Sequence, residues 1–153
     1  MSFTSEIKNE TSMLNLTQSE KIAELSAFIR SNGKIFDDYI ELYTENIKIA
    51  KRMFSFIKDL YNVNCEIENR SNQLFTKKNI YYVYIKEKKQ MILEDLSIID
   101  QNGNYLETVS EYIVGSLDEI KAYIRGSFYA RGSINDPKTS QYHLEFLYDN
   151  KFE

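Results

Sequence analysis

The chain has 153 residues, of which 42% are apolar, 14% aromatic and 27% charged, with a net charge of -4. That balance fills a globular core and excludes a disordered chain, and the acidic excess argues against the domain as a whole being a phosphate-binding surface, which needs clustered Lys and Arg. With the single thiol Cys65, a polar N-terminus "MSFTSEIKNE" and no apolar run near the roughly 20 residues of a membrane span, the expectation is a cytoplasmic protein without disulfide, leader or membrane segment.

Residues 3 to 14, "FTSEIKNETSML", suit a short amphipathic helix with Phe3, Ile7, Met13 and Leu14 as its apolar positions. "TQSE", Thr17 to Glu20, is a capping box: the threonine hydroxyl and the glutamate carboxylate each serve a backbone N–H of the other. Ile22, Leu25 and Ile29 follow at helical spacing, Ala23, Ser26 and Ala27 keep one face thin, and Gly33 marks the stop. A hairpin comes next, turning at Asp37-Asp38 into the alternating "YIELYT". Residues 46 to 61 form a helix with Ile49, Met53, Phe56, Ile57 and Leu60 on one face. "VNCEIEN" then alternates, with Val63, Cys65 and Ile67 on one side, and "NIYYVYIK" is a second strand. "KEKKQMILEDLSI" is a closing helix. The order αββαββα predicts an α+β fold, a four-stranded antiparallel sheet with helices on one face.

The pattern divides the chain into an N-terminal helix (1–16), a first repeat (17–97), a linker (98–115) with an Asn102-Gly103 turn, and the beginning of a second repeat (116–153). Ser116 to Glu119, "SLDE", is a second capping box. The repeat is direct: Ala23 matches Ala122 and Gly33 matches Gly132, both 99 positions on, and "IELYTEN" matches "LEFLYDN" 104 positions on. The second copy reaches Glu153 where its second helix should start, so the chain is expected to be part of a longer protein or a natural truncation. Small residues let helix backbones approach closely. Ala23, Ala27 and Gly33 are therefore expected to face Ala122, Gly126, Ala130 and Gly132 as the interface between the repeats.

"LSAFIRSNG" (Leu25 to Gly33) and "IRGSFYARG" (Ile124 to Gly132) resemble the LAGLIDADG helices of homing endonucleases. The closer resemblance is to the WhiA family of bacterial DNA-binding regulators. It is carried over the whole chain by the opening "MSFTSEIKNE", by "KIAELSAFIRSNG" and above all by "YIRGSFYARGSINDPKTSQYHLEF". The resemblance implies a degenerate LAGLIDADG-like domain, a helix-turn-helix domain in a C-terminal part that this sequence lacks, and a role in transcription control linked to cell division and sporulation.

LAGLIDADG nucleases hold divalent metal with one acidic residue at the end of each helix, because hard cations take oxygen ligands. By the resemblance those positions are Asn32, a neutral amide, and Arg131, a cation, and the second acidic position of each motif is Arg30 or Tyr129. No metal, cofactor or catalysis is expected. The outward sheet positions Tyr39, Glu41, Tyr43, Asn64, Glu66 and Glu68 are acidic and aromatic, unlike a duplex-binding saddle. Basic residues gather instead at Arg70, Lys77, Lys78, Lys86, Lys88 and Lys89, either a solvated loop and helix start or an edge that touches phosphates. Three functions follow: a regulator domain that positions a DNA-binding module or contacts protein partners, an active homing endonuclease, or a stand-alone protein-interaction module.

Overall fold

The computed structural model describes residues 2–71, 79–134, 136, 138 and 143–147. Helix α1 (Phe3–Thr11) starts where the Ser2 hydroxyl accepts the Ser5 N–H. It ends earlier than its apolar pattern predicts. Thr11 Oγ1 donates to the Ile7 carbonyl at 2.8 Å and Ser12 Oγ to the Asn9 carbonyl at 2.7 Å, side-chain bonds of the kind that compete with a continuing helix. Met13 and Leu14 consequently lie beyond the helix, 78% and 50% exposed, not on its apolar side. The Ser12 and Leu14 carbonyls accept instead from the Arg52 guanidinium. Three hydroxyl bonds carry α1 toward the far end of the chain: the Tyr129 hydroxyl donates to Thr11 Oγ1, and Thr4 Oγ1 both donates to the Ile134 carbonyl and accepts its N–H.

Helix α2 (Gln18–Asn32) carries the complete capping box on Thr17 and Glu20. Gly33 ends it in extended conformation, φ -101° and ψ 144°, and passes directly into strand β1 (Gly33–Ile35). Here glycine supplies space, because a Cβ would meet the Ile29 carbonyl. Strand β2 (Ile40–Thr44) buries Ile40, Leu42 and Thr44, which leaves Glu41 and Tyr43 on the opposite face. Helix α3 (Ile47–Tyr61) begins under Asn46, whose side chain accepts the N–H groups of Lys48 and Ile49. It ends at Asn62, φ 52°, a residue type that tolerates the left-handed region. Ile49, Met53, Phe56 and Ile57 are buried against the sheet, each worth about 1.5–3 kcal/mol.

Strands β3 (Cys65–Ser71) and β4 (Asn79–Ile85) complete an antiparallel sheet of order β1-β2-β4-β3. The apolar side predicted for Val63, Cys65 and Ile67 is realised only at its start. Val63 is buried, Cys65 is half-buried and Ile67 is exposed, because β3 is the edge strand and its side chains leave the helical cover after Cys65. Burial pushes the Cys65 thiol up to about 11. Cys65 should therefore react with an aromatic disulfide at pH 8 far more slowly than free cysteine, which a stopped-flow thiol assay measures directly.

Helix α4 (Lys89–Asp95) is shorter than predicted, since Lys88 takes φ 55° and breaks the run from Lys86. The Tyr61 hydroxyl ties α3 to α4 by donating to Asp95 at 2.7 Å. Residues 96–116 are anchored at a few points: Leu96, Ile98, Ile99 and Ile113 are buried, and the Arg30 guanidinium donates to the carbonyls of Ser97 and Leu106 at 2.7 and 2.8 Å. Helix α5 (Leu117–Arg131) then leads into strands β5 (Gly132–Ile134) and β6 (Leu144–Phe146), which pair with each other. Its capping box is half made. Ser116 Oγ accepts the Glu119 N–H, but the Glu119 carboxylate accepts the N–H of Gly115 in place of that of Ser116. Among the described residues no helix is long and apolar enough to cross a membrane.

Candidate functional site

The site is built where α2 and α5 pack side by side. Ala23 and Ala122 are fully buried in one cluster with Ile113, and Ala27 is buried alongside them. Gly126 lets the helices touch: a Cβ there would meet the Glu24 carbonyl oxygen and come within 3.0 Å of Ala27 Cβ. Ala130 is half-buried in the last turn of α5. Gly33 and Gly132 sit one residue beyond the helices and pack on Ile29 and Phe128 of their own helix.

Between α2, α3 and α5 lies a charged cluster that the sequence pattern did not single out. Glu24 is fully buried. Its Oε2 accepts from Arg52 Nε at 2.7 Å, and its Oε1 accepts from Arg52 Nη2 at 3.1 Å and from Arg125 Nε at 2.6 Å. The partners are 28 and 101 residues away, so no local spacing reveals them.

At the C-terminal ends of the paired helices stand Asn32 and Arg131. Asn32 is 3% exposed and donates its amide to the carbonyls of Tyr43 at 3.2 Å and Ala130 at 3.0 Å. Its Oδ1 is buried without a hydrogen-bond partner. Arg131 Nη2 donates to the Tyr43 hydroxyl at 2.7 Å, and its guanidinium lies 5.8 Å from the centre of that ring. The two side chains thus converge on Tyr43 as donors, the reverse of the oxygen acceptors a hard cation requires. Arg30 points away toward residues 97–106, and the Tyr129 hydroxyl is held by Thr11. Among the described residues, no three His, Cys, Asp or Glu side chains converge on a point that would hold a metal ion.

The outer sheet face follows from the register. Glu41, Tyr84 and Glu66 form one cross-strand row and Tyr43, Tyr82 and Glu68 the next. Phe36 and Tyr39 stack at 4.7 Å, and Tyr39, Tyr84, Tyr82 and Tyr43 continue the line with ring centres about 6 Å apart. Of the basic edge, Arg70, Lys86, Lys88 and Lys89 are each engaged locally and do not converge. Arg70 lies over the Tyr82 ring at 4.6 Å and donates to Glu68 at 3.1 Å and to the Tyr84 hydroxyl at 2.6 Å. That hydrogen bond from Arg70 holds the Glu68 carboxyl below its usual range. Lys86 pairs with Glu66, Lys88 donates to the Tyr61 carbonyl and Lys89 to the Asp37 carbonyl. Lys77 and Lys78 lie outside the described residues.

Lys8 of α1 comes close to the same helix ends, a placement its position in a short amphipathic helix did not signal. Its ammonium sits 5.3 Å from the centre of the Phe128 ring and 3.4 Å from the Tyr129 carbonyl. Burial pushes Lys8 down to about 8, against 10.5 for an ordinary lysine, with Glu45 opposing the shift. Between these values the unfolded chain binds the proton that the folded chain has released, so this group's contribution to stability rises with pH through that window and is lowest below 8. Lys8→Met should therefore raise the melting temperature at pH 7 and gain less at pH 10; melting curves of both proteins across that range test the sign.

Two family models match the chain: the WhiA N-terminal LAGLIDADG-like domain over residues 18–99 and the WhiA LAGLIDADG-like domain over residues 120–152. A probable cell division protein WhiA of Enterococcus faecalis is 41% identical over 96% of this chain and 48% of its own length. Its counterpart in Listeria welshimeri is 40% identical over 96% of this chain and 47% of its own. The chain spans about half the length of the curated relatives it matches. The crystal structure of the N-terminal LAGLIDADG domain of a WhiA protein superposes with a TM-score of 0.71 at 19% identity, covering 98% of this chain and 68% of that one. The full-length WhiA from Thermatoga maritima gives 0.68 at 20% identity, covering 95% of this chain and 44% of that one. At those identities the structures establish the fold.

Proposed function

Because the chain belongs to the WhiA family, we propose that it is a catalytically inactive LAGLIDADG-like domain of a DNA-binding transcriptional regulator linked to cell division and, in spore-forming hosts, to sporulation. It acts as a scaffold or partner-binding domain in the bacterial cytoplasm, associated with the nucleoid through DNA, and sequence recognition belongs to a C-terminal helix-turn-helix outside this sequence. The observation that carries the inactive reading is the pair of donors at the helix ends. Metal-assisted phosphodiester cleavage needs carboxylate oxygens there to hold the ion that activates water. Asn32 offers an amide already committed to two carbonyls, and Arg131 places a cation where a metal would sit.

The sheet face supports an indirect role in DNA binding. Glu41, Glu66 and Glu68 line the surface that would meet a duplex, and phosphate contacts need cations. The basic edge of Arg70, Lys77, Lys78, Lys86, Lys88 and Lys89 supplies at most a weak contact, steeply reduced by salt. The aromatic line from Phe36 to Tyr43 favours a protein partner as the second reading, since Tyr and Phe are enriched at such interfaces.

Fluorescence anisotropy of labelled duplex with the 153-residue chain, in low salt with magnesium and followed by gel analysis, tests this directly. The expected result is intact DNA and weak, salt-sensitive binding. Cut DNA that stays intact with Asn32→Ala would overturn the inactive reading.

A further inference from the structure

A cavity of about 950 Å³ opens beside the ends of α2 and α5, between α1, the β2–α3 turn and the start of β4. Its lining inverts the charge of the molecule. Lys8, Lys48 and Arg131 face Glu45 as the only acid among the described lining residues, in a chain of net charge -4. The rest of the wall is mostly hydroxyls, amides and the rings of Tyr43 and Tyr81.

Lys8 decides what such a cavity would hold. A partly desolvated ammonium is costly unless a carboxylate or another strong acceptor meets it. Lys8 bonds one carbonyl at 3.4 Å and lies over the face of Phe128, and Glu45 acts on it across the cavity without closing to an ion pair. The neighbouring Asn32 Oδ1 is also buried without a partner. The described lining thus sets three cations against the single acid Glu45, and a side chain on its wall lacks a donor. A nucleotide answers both, with the anion in its phosphate and the donors on its sugar and base, and tyrosine rings suit the base as stacking surfaces.

We propose that this cavity binds the phosphate group of a nucleotide, with Lys8 as its principal cationic contact and Arg131 and Lys48 beside it. The phosphate belongs either to a free mononucleotide or to a nucleotide within a single-stranded oligonucleotide. The site is separate from the basic edge of the sheet and does not depend on whether the domain cuts DNA.

Inorganic phosphate, adenosine monophosphate and a short single-stranded oligonucleotide, each titrated into the 153-residue chain, test it. Melting temperature and amide NMR shifts are the readouts. Phosphate and the mononucleotide are expected to raise the melting temperature and to shift Ser5, Lys8 and Asn46. Lys8→Met should weaken binding about tenfold, the share of one charge-assisted contact, while Lys8→Arg retains most of it. Lys8→Met is expected to melt no lower than the parent, so its loss of binding would not reflect unfolding. If only the oligonucleotide binds, with the same dependence on Lys8, the phosphate is that of a strand. Absence of any shift at millimolar ligand, or equal binding by Lys8→Met, overturns the proposal.

Discussion

Glu24→Ala is expected to cost about 3–5 kcal/mol of folding stability, the usual penalty for breaking a buried ion pair from one side. For a domain of this size that lowers the melting temperature by about 10 °C or more. Two guanidinium groups share the Glu24 carboxylate, and the side chains of Arg52 and Arg125 are only 6% and 17% exposed. Without the carboxylate, two cations face each other away from solvent. Arg52 has little freedom to leave. Its Nη1 is bonded to the Ser12 and Leu14 carbonyls, and its guanidinium lies 4.7 Å from the centre of the Phe56 ring. Arg125 already holds Nη2 buried without a partner. The penalty therefore measures stranded charge more than lost attraction. Replacing all three at once, Glu24→Leu with Arg52→Met and Arg125→Met, should recover much of the loss, because well-packed apolar groups often replace a buried ion cluster at little cost. Urea denaturation of the single and triple variants separates the two accounts. A triple variant less stable than Glu24→Ala would show that the cluster attracts more than it costs.

Gly126→Ala should destabilise by about 1–3 kcal/mol, and Gly126→Val by more, through overpacking. The added Cβ meets the backbone carbonyl of Glu24, which no rotamer change can move, and Ala27 Cβ stands at 3.0 Å. The helices must separate, opening the contact around Ala23 and Ala122 and pulling Glu24 from Arg125. Gly103→Ala is the informative contrast. Nothing lies within 4 Å of its Cβ position, but φ is +83°, so it pays only backbone strain of about 1 kcal/mol. If both alanine variants lose the same amount, close helix approach is not what Gly126 provides.

Local chemistry made much of this fold legible. Thr17 and Glu20 form the capping box their spacing implies, "YIELYT" buries alternate residues, and α3 presents Ile49, Met53, Phe56 and Ile57 together. Signals failed where a distant partner overrides a local pattern. Beyond the Thr11 and Ser12 bonds that end α1, the Ser12 and Leu14 carbonyls are held by Arg52, and Ile67 is exposed because β3 has a neighbour on one side only. The candidate site divides the same way. The family resemblance pointed to Asn32 and Arg131, but their shared dependence on Tyr43 and the arrival of Lys8 beside them are tertiary facts. Glu24 gave no sign at all, being one acid among small residues in an otherwise thin helix.

The attachment of α1 bears on the order in which the protein takes shape during synthesis. Thr11 waits for Tyr129, 118 residues later, and Thr4 for Ile134, 130 residues later. Helix α1 can meet α3 earlier, through the Arg52 bonds to the Ser12 and Leu14 carbonyls and the Asn46 bond to Asn9, so only its contacts with the second repeat wait until nearly all of this sequence has been made. The α1 segment therefore closes in two stages, first on α3 and then on the second repeat, and its last bonds record that the second helix of the pair has arrived.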